Sequence, residues 1–183
     1  TTDTNDIIQS LAAKSIAGVL TISSGTYGAN GNTTTVTGLA TVSGGTYLAS
    51  TATQTFNGGL TISGGTFTGS NGAVDVNGNL TFSLGTLTAP SGAFTVSGNW
   101  NRTGGTFTPG TNTVTFDGAG TSIISGSTTF YRLTSTTAGK TLSFDSGTTQ
   151  TITNALTLTG AVGNLITLSR NLGSGAEQWS MNV

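Results

Sequence analysis

Apolar and polar residues alternate along most of this chain, in short runs separated by glycine-rich segments. Residues 60–78, LTISGGTFTGSNGAVDVNG, contain three such runs: LTI, TFT and VDV. Alternation with a period of two is typical of a half-buried β-strand, and the glycine, serine and asparagine between the runs favour turns. The pattern predicts three short strands and three corners in each unit of this kind.

The unit recurs every 20 residues, and the repeat holds for five units. Three columns of apolar residues recur in the same register. The first column is Leu20, Ala40, Leu60, Leu80 and Trp100; the second is Tyr27, Tyr47, Phe67, Leu87 and Phe107; the third is Val36, Phe56, Val76, Val96 and Phe116. A fixed short period with identical positions in register is typical of a solenoid, in which each unit packs on the next.

We therefore predict an all-β, single-domain fold: a right-handed parallel β-solenoid with coils of about 20 residues and three short strands per coil. A β-sandwich has no reason to keep a strict period. A leucine-rich repeat needs more leucine and a helical side, and a propeller blade is about twice as long as this unit.

The strict repeat covers residues 18–117, which predicts five regular coils. Over residues 118–183 the apolar runs are irregularly spaced, and we expect looser coils that end in a strand. Residues 1–17 lack the repeat and are expected to form a cap or an inter-subunit segment. Two conformations remain open there: a short amphipathic helix that starts after Asp6, or a strand that pairs with a neighbouring molecule.

Composition narrows the possible functions. The chain has 183 residues with 5 Lys+Arg, 6 Asp+Glu and a net charge of −1, so it lacks the clustered cations that nucleic-acid binding requires. It has no cysteine for disulfides and no apolar run long enough for a membrane span. The chain begins at Thr1 without a basic and apolar leader, which fits either a mature secreted protein or an excised segment.

Little catalytic chemistry is available. There is no histidine, and the acids within the regular coils are Asp75 and Asp117, two coils apart. We expect no enzyme activity, no metal site and no cofactor. Carbohydrate binding or cleavage would require outward aromatic platforms or paired carboxylates, which the pattern does not provide. Arg102 falls in an inward column with Ile62 and Phe82, so we expect a local distortion that lets its charge reach solvent.

Outward threonines form regular columns, which suggests an alternative function. Flat ranks of Thr-x-Thr on a β-solenoid are what ice-binding proteins of that architecture display. The candidate ice-binding face comprises Thr26, Thr46, Thr66, Thr68, Thr86, Thr88, Thr106 and Thr108. Threonine also has high β propensity and stacks well on itself, so folding and solubility alone account for its abundance.

Two stretches carry a family resemblance: GNWNRTGGTFTPGTNTVTFDG at residues 98–118 and ISGSTTFYRLT at residues 124–134. Together with the tail GNLITLSR and WSMNV, they resemble β-strand-repeat segments of large secreted bacterial surface proteins, adhesin-like or filament-like. The resemblance covers most of residues 58–183. It implies an extracellular location at the cell surface and supplies no functional residues.

These observations predict a structural subunit of an extracellular fibre, stalk or surface layer. The partners expected are copies of the same chain, joined head to tail, because the end coils of a solenoid leave backbone groups and core edges unpaired. Any contact with a surface or polysaccharide is unknown from the sequence. The predicted assembly interface comprises Ile7, Ile8, Leu11, Ile16, Trp179, Met181 and Val183.

Overall fold

The computed structural model describes residues 7–183, apart from the side chain of Ser174. The described chain winds into a right-handed parallel β-solenoid with three sheets of six, nine and eight strands. Sheet A contains β1 (Ile7–Gln9), β4 (Thr26–Gly28), β7 (Thr46–Leu48), β10 (Thr66–Thr68), β13 (Thr86–Thr88) and β16 (Thr106–Thr108). The predicted fold class is confirmed.

The other two sheets run the length of the solenoid. Sheet B contains β2 (Lys14–Ile16), β5 (Thr34–Val36), β8 (Gln54–Phe56), β11 (Val74–Val76), β14 (Phe94–Val96), β17 (Thr113–Phe116), β19 (Thr128–Ser135), β21 (Thr149–Leu158) and β23 (Ser180–Asn182). Sheet C contains β3 (Leu20–Ile22), β6 (Ala40–Val42), β9 (Leu60–Ile62), β12 (Leu80–Phe82), β15 (Trp100–Arg102), β18 (Thr121–Ser125), β20 (Thr141–Asp145) and β22 (Thr167–Asn171). A single 3₁₀ turn, Leu172–Ser174, is the only helical element in the described part of the chain.

The fixed period of the sequence sets the register of the regular coils. Phe67 pairs with Tyr47 in the coil before and with Leu87 in the coil after, and the other two predicted apolar columns pair in the same way. Because strands of neighbouring coils lie about 4.8 Å apart, each column becomes a continuous stack of side chains. The side chains of Phe56, Leu60 and Phe67 are fully buried, which confirms the inward assignment.

Aromatic rings stack along the interior. The ring centroids of Tyr27 and Tyr47 are 5.2 Å apart, and those of Tyr47 and Phe67 are 5.0 Å apart. Further along the rod, the buried Trp100 contacts Phe107 at 5.0 Å and Phe130 at 5.1 Å. Such pairs contribute about 0.5–1.5 kcal/mol each beyond the area they bury. The stack therefore stabilises the interior through both halves of the solenoid.

Buried polar side chains are hydrogen-bonded within the interior. The Tyr47 hydroxyl donates to Gln54 Oε1 at 2.6 Å, and Gln54 Nε2 donates to Ala52 O at 2.8 Å and Asn32 O at 3.0 Å. Burial raises the pKa of Tyr47 above its ordinary value of 10.0. The network lets a polar residue occupy an inward position, where an unpaired amide would cost several kcal/mol.

The corners are tight because the coils stack directly on one another. An added Cβ at Gly58 would lie 2.4 Å from the carbonyl carbon of Gly38 in the coil before. The equivalent atom at Gly18 would meet nothing within 4 Å, because no described coil lies beneath it. The repeated glycine is therefore required by close approach between coils wherever a preceding coil is present.

The N-terminal segment continues the solenoid. β1 pairs with β4, and β2 pairs with β5, in the same parallel arrangement as the regular coils. The helix considered for this segment is therefore wrong over residues 7–12, and its predicted start at Asp6 lies outside the described residues. The strand alternative has the right conformation, but the pairing seen is with the chain's own next coil.

Sheet A ends at β16, and Pro109 explains why. In three preceding coils the residue after the sheet A strand donates its N–H to the next coil: Ala49 to Thr68 O, Gly69 to Thr88 O and Ala89 to Thr108 O, at 2.9–3.0 Å. Pro109 occupies the equivalent position and has no N–H to donate. The ladder of sheet A therefore loses its next bond where the proline stands.

Beyond β16 the coils become longer and less regular. Trp100 pairs with Ile124 and Thr149 pairs with Ser180, so both partners lie further along the chain than the repeat of the regular coils would place them. The eight-residue β19 and ten-residue β21 each replace two short strands and a corner, and their pairing contains a bulge between Phe130 and Arg132. Phe130 still points inward, with its ring centroid 6.1 Å from that of Phe107. The interior is continuous although sheet A is not.

Two cations in or near the interior are bound to backbone carbonyls. The Arg102 guanidinium is half-buried and donates to the carbonyls of Gly104, Gly105 and Ser127. The fully buried Lys140 donates from Nζ to Gly118 O at 2.7 Å. Burial lowers the pKa of its amine, whereas the negative charge of Asp117 acts to raise that pKa. Arg102 therefore pairs in register with Phe82, while its guanidinium is bound by backbone carbonyls at a corner.

Candidate functional site

The three outer faces differ because the strands of sheet A are inverted relative to those of the other sheets. The regular strands of sheet A have one inward residue between two outward positions, as in β10. In the middle regular coils, the strands of sheets B and C have one outward residue between two buried ones, as in β11 and β12. Sheet A consequently presents two parallel ranks of outward side chains, whereas sheets B and C present one.

The predicted threonine face lies on sheet A. Thr26, Thr46, Thr66, Thr86 and Thr106 pair in unbroken register and form the first rank. The second rank is Gly28, Leu48, Thr68, Thr88 and Thr108, so the Thr-x-Thr motif is complete in the last three strands. Within a strand the two ranks are about 6.5–7 Å apart, and between strands the spacing is about 4.8 Å. The structure brings all eight predicted threonines together on one surface.

The single ranks on sheets B and C are linked by hydrogen bonds across coils. On sheet B, Thr95 Oγ1 donates to Asp75 Oδ1 at 2.8 Å. On sheet C, Asn101 Nδ2 donates to Thr81 Oγ1 at 3.3 Å. Both bonds join residues one coil apart, so these side chains reinforce the stacking. Asp75 and Asp117 lie apart, with Asp117 accepting from Ser97 Oγ at 2.8 Å.

At the N-terminal end, the predicted interface residues divide between two surfaces. Ile8 lines a small depression together with Leu20, Ile22 and Tyr27, at the open end of the interior. Ile7, which is 66% exposed, pairs with Thr26 and lies on the outer face of sheet A. Leu11 is exposed in the following turn, and Ile16 is partly buried against the core.

At the C-terminal end, two of the three predicted interface residues pack on the chain itself. The Trp179 ring is stacked on that of Phe144, with centroids 4.4 Å apart, and Met181 pairs with Gln150 in sheet B. Val183 is exposed. The two sets of predicted interface residues therefore lie at opposite ends of the rod.

A further surface feature is a shallow groove on sheet B, at the start of the irregular coils. Its lining includes Ser91, Gly92, Thr113 and Arg132. Arg132 falls outside the regular repeat and was not predicted as a site residue. The signal in the sequence is the run Phe130-Tyr131-Arg132, which interrupts strict alternation; at this point the register shifts, and Tyr131 faces both Thr153 and Asn154 of β21.

Neither a membrane-spanning helix nor a metal centre is found in the described residues. No helix among residues 7–183 is long and apolar enough to cross a membrane. Over the same residues, no group of three or more His, Cys, Asp or Glu side chains is arranged to hold a metal ion.

Comparison with known proteins leaves the fold and these surfaces as the basis for functional argument. No protein-family model, curated protein or solved structure matches this chain.

Proposed function

We propose that the chain is a structural rod, a subunit of an extracellular fibre, stalk or surface layer that assembles head to tail with copies of itself. The observation that supports this most directly is the register of the apolar columns, which is kept from coil to coil in all three sheets. A protein built of stacked identical coils extends along one axis without changing its cross-section.

Stiffness follows from the two kinds of contact that join successive coils. Backbone ladders connect each coil to the next, for example Thr66 N to Gly45 O at 2.9 Å and Thr86 N to Gly65 O at 3.0 Å. Inside the ladders, the buried stacks link the same coils through apolar contact. Bending the rod would separate the backbone hydrogen bonds and the apolar contacts at the same time. The proposed mechanical role therefore depends on both kinds of contact joining the same coils.

Assembly would use the strand edges at the two ends. β2 and β3 present the edges of sheets B and C at one end, with Ile8 of β1 beside the open interior; β23 and β22 present the edges of the same sheets at the other end. Unpaired strand edges favour addition of further strands, and a head-to-tail contact between identical chains does not close on itself. The proposed product is a filament that continues sheets B and C from one copy to the next.

The outer surface fits a rod that stays soluble without charge. Charged residues make up 6% of the chain, and hydroxyl and amide side chains cover much of the outward ranks of all three sheets. A location outside the cell is proposed on the resemblance of residues 58–183 to secreted bacterial surface repeats.

The test is the assembly state of the full chain, compared with two matched variants. Ile8→Lys places a charge at the open end of the interior and is expected to give monomers, since inward charges block edge pairing. Ile7→Lys makes the same change on the neighbouring outward residue and is expected to assemble like the parent. Light scattering after size-exclusion chromatography and electron microscopy provide the measurement. A parent chain that stays monomeric at high concentration contradicts the proposal.

A second candidate function is ice binding by sheet A, and the double threonine rank favours it. The face is parallel, in register and repeats at the strand spacing, so its hydroxyls form a two-dimensional lattice. Such a lattice holds a water layer of matching periodicity, whereas a single rank orders water along one direction only.

This candidate is tested by ice recrystallisation and thermal hysteresis. Thr86→Tyr breaks the flat face of sheet A, and Thr81→Tyr makes the same change on the single rank of sheet C. Ice binding predicts activity in the parent, a several-fold loss in Thr86→Tyr and parent-like activity in Thr81→Tyr. An inactive parent, or an equal loss in both variants, eliminates this function.

A further inference from the structure

We propose that the groove on sheet B binds an acidic saccharide, with Arg132 contacting the sugar carboxylate. This site lies on the side of the rod, so it is independent of assembly at the ends. It occurs where the repeat changes: the bulge between Phe130 and Arg132 is the register shift between β19 and β21. Bulges commonly redirect side chains next to functional sites.

The bulge determines how Arg132 is held. Arg132 Nε donates to Asn154 Oδ1 at 2.7 Å, and Nη1 donates to Thr111 O at 3.3 Å. The guanidinium carbon lies 4.8 Å from the centroid of the Tyr131 ring. Two hydrogen bonds and a ring fix the plane of the group, while a guanidinium has five N–H donors in all. The side chain is oriented and still has donors for a ligand.

The surroundings of Arg132 differ from those of three other cations of the chain. Arg102 donates to three backbone carbonyls, and Lys140 is buried against Gly118 O. Arg170 donates to Ala176 O at 2.6 Å, near the C-terminal end. Arg102 also borders a depression, but its three side-chain nitrogens all donate to carbonyls at that corner, whereas Arg132 donates from Nε and Nη1 only and borders a groove lined by hydroxyl side chains.

The groove supplies neutral polar groups beside this charge. Its lining combines the hydroxyls of Ser91, Thr113 and Thr115 with the small residues Gly92 and Ala93. Asn112 is turned away, since its Nδ2 donates to the carbonyls of Pro90 and Gly92. Small residues and the turned Asn112 leave the groove open between the hydroxyls and the guanidinium.

This combination favours a carboxylate-bearing sugar over other ligands, bound through charge and hydrogen bonds and not through the aromatic platform or paired carboxylates considered from the sequence. Guanidinium groups bind carboxylates through two parallel hydrogen bonds, and short hydroxyl side chains suit the hydroxyls of a sugar ring. Arg132 is the charged residue in the lining, so the site offers one positive charge with neutral partners. A linear uronic-acid polymer presents one carboxylate per sugar, which matches that arrangement.

The experiment is calorimetric titration of the full chain with a galacturonic-acid trimer and with the neutral galactose trimer. We expect saturable binding of the acidic trimer and at least tenfold weaker binding of the neutral one. Arg132→Gln should weaken the acidic trimer at least tenfold. Lys14→Gln, which removes the same charge from an exposed position at the far end of sheet B, should stay within twofold of the parent.

The controls separate a site from nonspecific attraction. Thermal unfolding of both variants should match the parent, since Arg132 and Lys14 lie on the outer surface. Amide shifts on titration should concentrate at residues 91–93, 111–115 and 132. Equal weakening in both variants, equal affinity for the neutral trimer or tighter binding of a sulfated trimer overturns the proposal.

Discussion

The regular coils over residues 18–117 and the later coils over residues 118–183 share one interior but have different outer surfaces. In the regular coils, strands of three or four residues alternate with tight corners, and outward positions repeat at the next coil. In the later coils, β19 and β21 merge two strands into one, and the pairing distance along the chain lengthens. The interior tolerates this change because Phe130 and Trp100 continue the aromatic stack.

Stability restricts the residues of the interior, whereas residues on the outer surface can vary. Side chains in the interior must match the coil before and the coil after, so substitutions there are tightly limited. Outward positions meet solvent, and departures from the repeat cost little. The groove lies at the boundary between the two regions, with Arg132 in the later coils and the rest of its lining in the last regular coils. Substitutions of decreasing expected effect test this difference.

The largest effect is expected from a charge in the interior of the regular coils. Phe67→Asp removes an aromatic ring that stacks on Tyr47 and places a carboxylate between two coils. We expect a loss of more than about 4 kcal/mol in the free energy of unfolding, enough to unfold the chain. Circular dichroism during urea unfolding measures it.

A partly buried position of sheet B in the later coils should respond less. Leu156 is partly buried against the core, so Leu156→Asp is expected to remain folded with a smaller loss. Parent-like melting of Phe67→Asp would contradict the inward assignment of its column.

A corner substitution tests the close approach of coils. Gly58→Ala would bring its Cβ to 2.4 Å from Gly38, and we expect a loss of about 2–3 kcal/mol because backbone must shift. Gly18→Ala, at the same repeat position, meets nothing within 4 Å and should leave stability unchanged. Equal melting temperatures for the two variants would show that stacking contact is not the reason for this glycine.

A smaller effect is expected at alkaline pH. Because burial raises the pKa of Tyr47 above 10.0, the folded chain keeps a proton that the unfolded chain releases above that pH. Stability from this group is therefore complete below about pH 10 and is lost as pH rises further. Tyr47→Phe should reduce the fall in unfolding free energy between about pH 10 and 11, measured by urea titration. An unchanged slope in the variant would assign the alkaline loss to other groups.

The smallest effect is expected on the outer face of sheet A. Thr66→Val keeps the shape and β propensity of the side chain at a half-buried outward position. We expect a change in unfolding free energy of no more than about 0.5 kcal/mol. A much larger loss would mean that the threonine hydroxyls contribute to the fold, and differential scanning calorimetry measures it.

Repetition made most of the fold predictable. The members of each apolar column recur at one fixed interval, so period, strand number and inward positions could all be derived without coordinates. Prediction was weaker wherever a residue has no counterpart in the next unit. β1 and β2 form ordinary strands although the sequence before residue 18 was not recognised as part of the repeat: β2 keeps the interval of the regular coils, and β1 is one residue short of it.

The two candidate sites also differ in whether the repeat predicts them. The eight threonines of sheet A were predicted as one surface, because outward positions follow from the same period. The groove was not predicted. It depends on Arg132, Thr111 and Asn154, which are brought together across coils by a bulge whose register the pattern does not determine.

The sequence by itself determined the period, the inward columns and the neutral hydroxyl surface, because these depend on local alternation and on identity between units. Only the tertiary structure decided where sheet A stops and where the side groove opens. Pro109 removes a donor, but its effect requires knowing which coil that donor would have reached. The orientation of Arg132 likewise depends on bonds to Thr111 and Asn154 in the coils on either side, which exist only once the coils have stacked.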